Sequence, residues 1–166
     1  MHVTLVNNYL YLRGGAERVV FEETEFLRQQ QVTVSHFSRR HAQNIPTPYD
    51  AYFPPFVDPF TLPLAGKVRH APRMIYNAHT YRSFIQFLQS VQPQLIHAHN
   101  IYGGLTSAIS DAATRQGIPM VMTLHDYKLL CPAYLMLRKG QVCEACLHGR
   151  YLRCIVHSCH KDNFLY

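Results

Sequence analysis

The fold is decided by residues 2–37, which read HVTLVNNYLYLRGGAERVVFEETEFLRQQQVTVSHF. The β-rich run 2–6 leads into a loop that ends at Gly14-Gly15. Residues 16–30 then place apolar side chains at helical spacing, and residues 32–37 form a second β-rich run. The order strand, helix, strand predicts two parallel strands joined by a right-handed crossover.

The same alternation returns later in the chain. Helix patterns at 76–91 and 105–116 precede strand patterns at 94–99 and 120–124. The last strand pattern is almost continuously apolar, which is typical of a buried parallel strand. Four strands alternating with three helices predict the α/β class, with a Rossmann-like open parallel sheet covered by helices.

Two further expectations concern side chains in this framework. In the first helix the apolar side should carry Val19, Val20, Phe26 and Leu27, with the glutamates Glu22, Glu23 and Glu25 largely on the other side. Residues 44–72 contain seven prolines, which predicts that no long regular element forms there. Aromatic residues are interleaved with these prolines, so we favour an ordered excursion packed on the domain over a surface loop that meets a partner.

Composition excludes several classes of protein. Hydrophobic residues make up 48% of the 166 residues, too many for a disordered chain. No apolar run approaches the roughly 18 residues that a membrane span needs. The first residues lack the basic flank and cleavage site of a signal peptide, so we expect a cytoplasmic protein.

The net charge of +6 is evenly spread along the chain. Residues 1–83 hold 9 basic and 6 acidic residues, and residues 84–166 hold 7 and 4. The absence of a Lys/Arg cluster in the sequence argues against a nucleic-acid partner. Residues 67–82 mix basic with apolar and aromatic side chains, which would suit peripheral contact with the inner face of a membrane, although a solvated helix face is the default interpretation.

Polar groups lie where the predicted strands end. Gly14-Gly15 lies between the first strand and the first helix, where free amides favour an anion, but a plain structural turn has the same pattern. His97, His99 and Asn100 end the third strand, and His125 follows the fourth. Because ligands of open α/β sheets bind at the carboxyl ends of the strands, these groups are predicted to share one crevice.

Four cysteines lie within one short segment and have the spacing C-x2-C-x7-C-x4-C: Cys143, Cys146, Cys154 and Cys159. In a reducing compartment this spacing favours metal binding over disulfides. Two thiolate pairs can enclose a tetrahedral Zn²⁺, which predicts a structural zinc site. Cys131, His157 and His160 are substitute ligands, and reduced cysteines without metal or an iron–sulfur cluster are the alternatives.

Three segments resemble glycosyltransferase family 4, which consists of two Rossmann-like domains in the GT-B arrangement. These segments read RGGAERVVFE, PQLIHAHNIYGGL and IPMVMTLHDYKLLCPAYLML, the last followed by VCEACLHGRYLRC. The final pair is similar to a subgroup with a cysteine-rich insertion after the HDY motif. The resemblance divides the chain into an acceptor-side domain at 1–130, an insertion at 131–160 and a truncated continuation at 161–166, with the C-terminal donor domain absent.

The resemblance also implies site residues. Gly14 and Gly15 would lie against the donor diphosphate and the transferred sugar, and His125 would be the active-site histidine that contacts this sugar. Asn100 would line the acceptor side, and Glu17 would help to shape the cleft. Family members retain configuration at the anomeric carbon and transfer the sugar from a nucleotide-sugar donor to a glycan or lipid-linked acceptor.

Two functions from different classes follow. The first is the acceptor-side half of such a glycosyltransferase, acting in polysaccharide or glycolipid assembly and inactive or nearly so without its donor domain, in cis or in trans. The second is a non-catalytic, zinc-containing interaction module on a Rossmann-like scaffold. A nucleotide-binding oxidoreductase is disfavoured because the sequence has no G-x-G-x-x-G.

Overall fold

The computed structural model describes residues 1–59 and 61–159. Contacts divide the chain into two compact units, Met1–Thr123 and Leu124–Tyr166. His160, named above as a substitute ligand, lies outside the described residues, as do Phe60 and the predicted continuation at 161–166.

The first unit is a parallel sheet of four strands. The strands are β1 (His2–Val6), β2 (Thr33–Phe37), β3 (Leu95–Ala98) and β4 (Met120–Met122), in the order β2-β1-β3-β4. All three pairings are parallel, with Val3 opposite both Val34 and Leu95. The predicted Rossmann-like α/β class is therefore confirmed.

Helices cover both faces of this sheet. They are α1 (Gly15–Gln29), α3 (Ala78–Val91) and α4 (Ala108–Gln116), whereas the further helix α2 (Leu64–Ile75) has no buried residue. Because side chains alternate along a strand, β1 contributes side chains to two hydrophobic cores, one on each face of the sheet. Val3 and Leu5 pack with Val20 of α1, whereas Val6 packs with the aromatic core that includes Phe84 of α3.

The start and end of two helices follow from capping residues. The Asn77 side chain accepts hydrogen bonds from the backbone N–H groups of His79 and Thr80, at 3.1 and 3.2 Å, and so begins α3. Gly117 ends α4 with φ at +67°, a left-handed conformation that glycine adopts at little cost. No helix in the described part of the chain combines the length and apolar content that crossing a bilayer requires.

The prediction for residues 44–72 is wrong in one respect. Residues 64–71 carry no proline, Pro63 precedes the first turn of α2, and Pro72 falls in its last turns, so a 12-residue helix forms. The packed excursion is confirmed, because Phe53 is buried and Tyr49 and Tyr52 pack against the same core.

Two expectations about burial are also corrected. On α1 the buried side carries Glu17, Val20 and Thr24, while Val19 and Phe26 are exposed. Residues 17, 20, 24 and 27 are spaced three or four positions apart and therefore face one side of the helix, whereas the predicted apolar residues 19, 20, 26 and 27 are spread more widely around it. Strand β4 is not buried on both faces, because Val121 is 49% exposed. Among the described strands it pairs with β3 alone.

The second unit is described by itself. It contains the antiparallel pair β5 (Leu137–Arg138) and β6 (Gln141–Val142), a hairpin that turns at Lys139-Gly140. A short helix, α5 (Leu152–Val156), follows. Its buried residues are chiefly cysteines and Ala133, which form the small core of this unit.

Candidate functional site

The turn before α1 holds the two predicted glycines. Gly14 is the N-cap residue, and its carbonyl accepts a hydrogen bond from the Arg18 amide at 3.2 Å. The first amides of the helix have no acceptor within it, and the helix dipole adds partial positive charge there. Glu17, in the same turn, is buried, and its Oε1 accepts a hydrogen bond from Asn7 Nδ2 at 3.1 Å.

Neither glycine is required by the local backbone. Gly14 has φ at −165°, an extended conformation open to any residue. A Cβ at Gly14 would lie 3.6 Å from Glu17 Oε2, an ordinary contact, and a Cβ at Gly15 would meet nothing within 4 Å. A structural turn therefore does not explain the Gly14-Gly15 pair, and open space lies beside it.

Asn7 and Asn8 join the ends of β1 and β3. Asn7 Oδ1 accepts a hydrogen bond from the Asn100 amide at 3.0 Å, and the Asn8 amide donates to the Asn100 carbonyl at 2.9 Å. Because Asn7 also holds Glu17, it links the glycine turn to Asn100. The structure thus brings Gly14 and Asn100 to one edge of the sheet, as the parallel topology predicts, and Glu17, which the resemblance alone implied, lies with them.

Asn8 fixes the loop that follows Asn100. Its Oδ1 accepts a hydrogen bond from the Leu105 amide at 3.0 Å, and its Nδ2 donates to the Tyr102 carbonyl at 2.8 Å. A Cβ at Gly104 would lie 2.4 Å from Asn8 Oδ1 and 2.7 Å from Arg39 Cζ. Gly104 is therefore required by packing, in contrast to Gly15.

A basic cavity of about 330 Å³ lies beside this loop. Five of its lining residues are basic, and none in the described part of the chain is acidic: Arg39, His70, Arg73, His79 and Arg82. Arg39 is 9% exposed, and its guanidinium carbon lies 4.9 and 4.7 Å from the ring centroids of Tyr9 and Phe56. Burial lowers the pKa of Arg39 from its ordinary value. No carboxylate of the described residues pairs with Arg39.

Arg39 was not predicted as a site residue, although it follows β2 as Asn100 follows β3. A second unpredicted residue is Glu23, on α1. Its carboxylate lies against His97 and His99, with Glu23 Oε1 at 2.5 Å from His97 Nδ1. Glu23 was placed on the polar side of the helix because sequence spacing gives no sign of a histidine pair more than 70 residues away.

His125 belongs to the second unit and is half-buried there. The neighbouring Asp126 accepts a hydrogen bond from the Lys128 amide at 2.8 Å, which forms a turn directly after His125. The role of His125 in sugar contact stays a prediction.

All five cysteines lie within the described residues and are free thiols. Cys131, Cys146 and Cys154 are buried together with Cys159 packed against them, whereas Cys143 is half-buried. Burial and the neighbouring Cys159 raise the pKa of Cys154 to about 11, and burial raises the pKa of Cys146. The structure thus associates Cys131 with three of the four predicted ligands, and the zinc site stays a prediction.

Comparison with known proteins gives one positive finding. No curated protein matches the chain. The family model of Glycosyltransferase Family 4 matches residues 13–160, which include the glycine turn, Asn100 and the cysteines. This match covers most of the 166 residues and agrees with the parallel sheet of the first unit. The chain therefore belongs to glycosyltransferase family 4.

Proposed function

We propose that this chain forms the acceptor side of a retaining glycosyltransferase that moves a sugar from a nucleotide-sugar donor to a glycan or lipid-linked acceptor. The observation that carries the proposal is the Gly14-Gly15 turn. Neither its backbone nor its packing requires glycine, and it faces open space at the start of α1. A ligand that approaches the main chain closely, with its negative charge on the helix start, explains both glycines.

The other residues take roles by the same proposal. Gly14 and Gly15 lie against the donor diphosphate and the transferred sugar, Asn100 lines the acceptor side, and His125 contacts the sugar. Glu17 positions the turn through its hydrogen bond to Asn7. In this scheme the nucleotide is held mainly by a second Rossmann-like domain, and these 166 residues alone are inactive or nearly so.

The basic cavity indicates that the acceptor carries negative charge. Arg39 is buried without a carboxylate partner among the described residues, and Arg73 and Arg82 line the same space. Guanidinium groups bind phosphate and carboxylate well, and a buried charge is costly unless it is paired. We therefore propose that the acceptor carries a phosphate or carboxylate that binds at Arg39.

Helix α2 supports peripheral membrane contact. Leu64, Val68 and Ile75 share one side of the helix and are 72%, 68% and 79% exposed, and Lys67 lies beside them on the helix. An exposed apolar stripe with a lysine beside it suits an anionic lipid surface. Val68→Glu should abolish co-sedimentation with phosphatidylglycerol vesicles. The matched change of an exposed leucine elsewhere, Leu12→Glu, should leave it intact; equal binding by both variants would contradict the membrane proposal.

The cysteine cluster contains three of the ligands in the zinc proposal, Cys146, Cys154 and Cys159. We propose that Cys143 completes the site, within a cysteine-rich insertion of the kind found in one subgroup of the family. The cluster also favours the second candidate function, a non-catalytic zinc-containing interaction module. The two functions differ in whether the glycine turn binds a nucleotide sugar.

Nuclear magnetic resonance of the ¹⁵N-labelled chain tests this difference. We expect UDP- or GDP-sugars to shift the amide resonances of Gly14 and Gly15. Gly15→Ala should weaken this response at least about tenfold, because its Cβ occupies the space beside the main chain. Gln29→Ala, at the other end of α1, is the matched control. The donor is added up to millimolar concentration, because binding without the second domain is expected to be weak. If no nucleotide sugar shifts the glycine amides even then, the glycosyltransferase proposal fails and the interaction module is favoured.

A further inference from the structure

Three side chains that commonly bind metal ions meet on the α1 face of the sheet. They are Glu23 on α1, His97 on β3 and His99 directly after it, and their ligand atoms all lie within 4.8 Å of one another. His97 and His99 are two positions apart, so they share a face, and their ring centroids are 4.3 Å apart. Within residues 1–59 and 61–159 no other group of three or more His, Cys, Asp or Glu ligands comes this close.

We propose that Glu23, His97 and His99 bind a divalent transition-metal ion of the Zn²⁺ class. Two imidazoles with one carboxylate are a ligand set that Zn²⁺ and related ions prefer, whereas Mg²⁺ and Ca²⁺ prefer oxygen ligands. This site is independent of the proposed transferase function and of the cysteine cluster.

Each oxygen of the Glu23 carboxylate lies close to a different histidine. Glu23 Oε1 lies 2.5 Å from His97 Nδ1, and Oε2 lies 3.2 Å from His99 Nε2. The separation between Glu23 Oε1 and His97 Nδ1 is that of a short hydrogen bond, whereas two ligand atoms on a tetrahedral Zn²⁺ are roughly 3.3 Å apart. A metal ion would therefore take the place of this hydrogen bond, and the partly exposed side chains of Glu23 and His97 would move apart to admit it.

A hydrogen bond behind His97 fixes the orientation of its ring. Its Nε2 lies 2.8 Å from Thr123 Oγ1, and the Thr123 amide donates to the Ala98 carbonyl at 2.9 Å, so the hydroxyl is held by β3 itself. Histidines that bind metal commonly have such a partner on the second ring nitrogen. The arrangement leaves His97 Nδ1 facing the carboxylate, as a ligand should.

The three side chains of the cluster differ in their exposure to solvent. The His99 side chain is fully buried, whereas those of His97 and Glu23 are 18% and 21% exposed. An ion can thus enter from the Glu23 side and keep a water ligand there. Binding would join α1, which begins at the glycine turn, to β3, which leads into Asn100.

The experiment uses the full 166-residue chain after removal of metal with a chelator. Co²⁺ is added in excess, and binding is followed by visible absorption together with long-range ¹⁵N spectra of the histidine rings. Thiolate ligands give a near-ultraviolet charge-transfer band and nitrogen and oxygen ligands do not, so the cysteines are distinguished from this cluster. We expect Co²⁺ and Zn²⁺ to perturb His97 Nδ1 and His99 Nε2.

Glu23→Gln keeps the size of the side chain but removes its charge, and His97→Ala removes a ligand. Each should weaken metal binding at this site at least about tenfold, since loss of a ligand's supporting group alone costs that much. His36→Gln changes a buried histidine that contacts the same helix, and it should leave binding unchanged. Thermal melting checks that each variant folds. If the folded Glu23→Gln chain binds as tightly as the natural one, or if no ring nitrogen of His97 or His99 responds, the cluster is a proton-linked ion pair and the proposal is overturned.

Discussion

Acid should destabilise the first unit through one buried histidine, His36 on β2. It is 5% exposed, and its Nε2 lies 2.9 Å from Thr24 Oγ1 on α1. The Thr24 hydroxyl has a single hydrogen, which it donates to the Val20 carbonyl at 2.7 Å. His36 Nε2 therefore donates to Thr24 Oγ1, and a second proton would have to bind at Nδ1 inside the protein.

The magnitude follows from the pKa of His36. Burial first, and then the nearby Arg28, lowers this pKa from 6.5 to about 4. Between these two values the unfolded chain binds more protons than the folded one, so stability falls as the pH falls. The contribution of His36 is fully present above pH 6.5, and by linkage about 2 kcal/mol of it is lost at pH 5 and about 3 kcal/mol at pH 4.

Urea unfolding at pH 7, 6 and 5 measures this loss. His36→Gln keeps an amide donor for Thr24 but cannot be protonated, so its free energy of unfolding should fall about 2 kcal/mol less than that of the natural chain between pH 7 and pH 5. His79→Gln, at an exposed histidine, controls for the removal of a histidine as such. Parallel pH dependences for the natural chain and His36→Gln would refute the reasoning.

Three further predictions concern packing and metal. Gly104→Ala should lower the free energy of unfolding in urea by about 2–4 kcal/mol, because the new Cβ would displace Asn8 from its hydrogen bonds. Gly15→Ala should leave the free energy of unfolding unchanged or raise it slightly. Equal effects of the two substitutions would contradict this difference in packing. Phe87→Ala should cost about 3–5 kcal/mol, since this fully buried ring packs on Phe37 and Phe84; a much smaller loss would mean that the core collapses around the gap. A chelator should release zinc bound by the cysteines and lower the melting temperature, and an unchanged melting temperature would exclude a structural metal there. Comparison of zinc binding by Cys143→Ser and by Cys131→Ser identifies the fourth ligand.

The predictable part of the fold is the part that local pattern encodes. The β1-α1-β2 unit follows from period and turn residues, and Gly117 marks the end of α4. Helix α2 was missed because the prolines on either side of residues 64–71 dominate that stretch of sequence. Strand β4 is as apolar as a buried strand, but its burial depends on what packs against its two faces, which composition does not encode.

The candidate site divides in the same way. Gly14 and Asn100 were placed together correctly, because parallel strands bring their carboxyl ends to one edge. Glu23 and Arg39 were missed. The first is significant only because His97 lies beside it in space, and the second only because Tyr9 and Phe56 enclose it. Such contacts between distant segments become visible once the chain is folded.

The strand order has a consequence for synthesis of the chain. Strand β1 lies between β2 and β3, yet Val3 pairs with Val34 and also with Leu95. As the polypeptide emerges, the first pairing can form early, but the second waits until some sixty more residues are made, which takes about 3–12 s at typical elongation rates. During that interval one edge of β1 has unpaired peptide groups, and a foreign strand can add there. The nascent chain is therefore most exposed to mispairing in the interval before His97 and Ala98 are added.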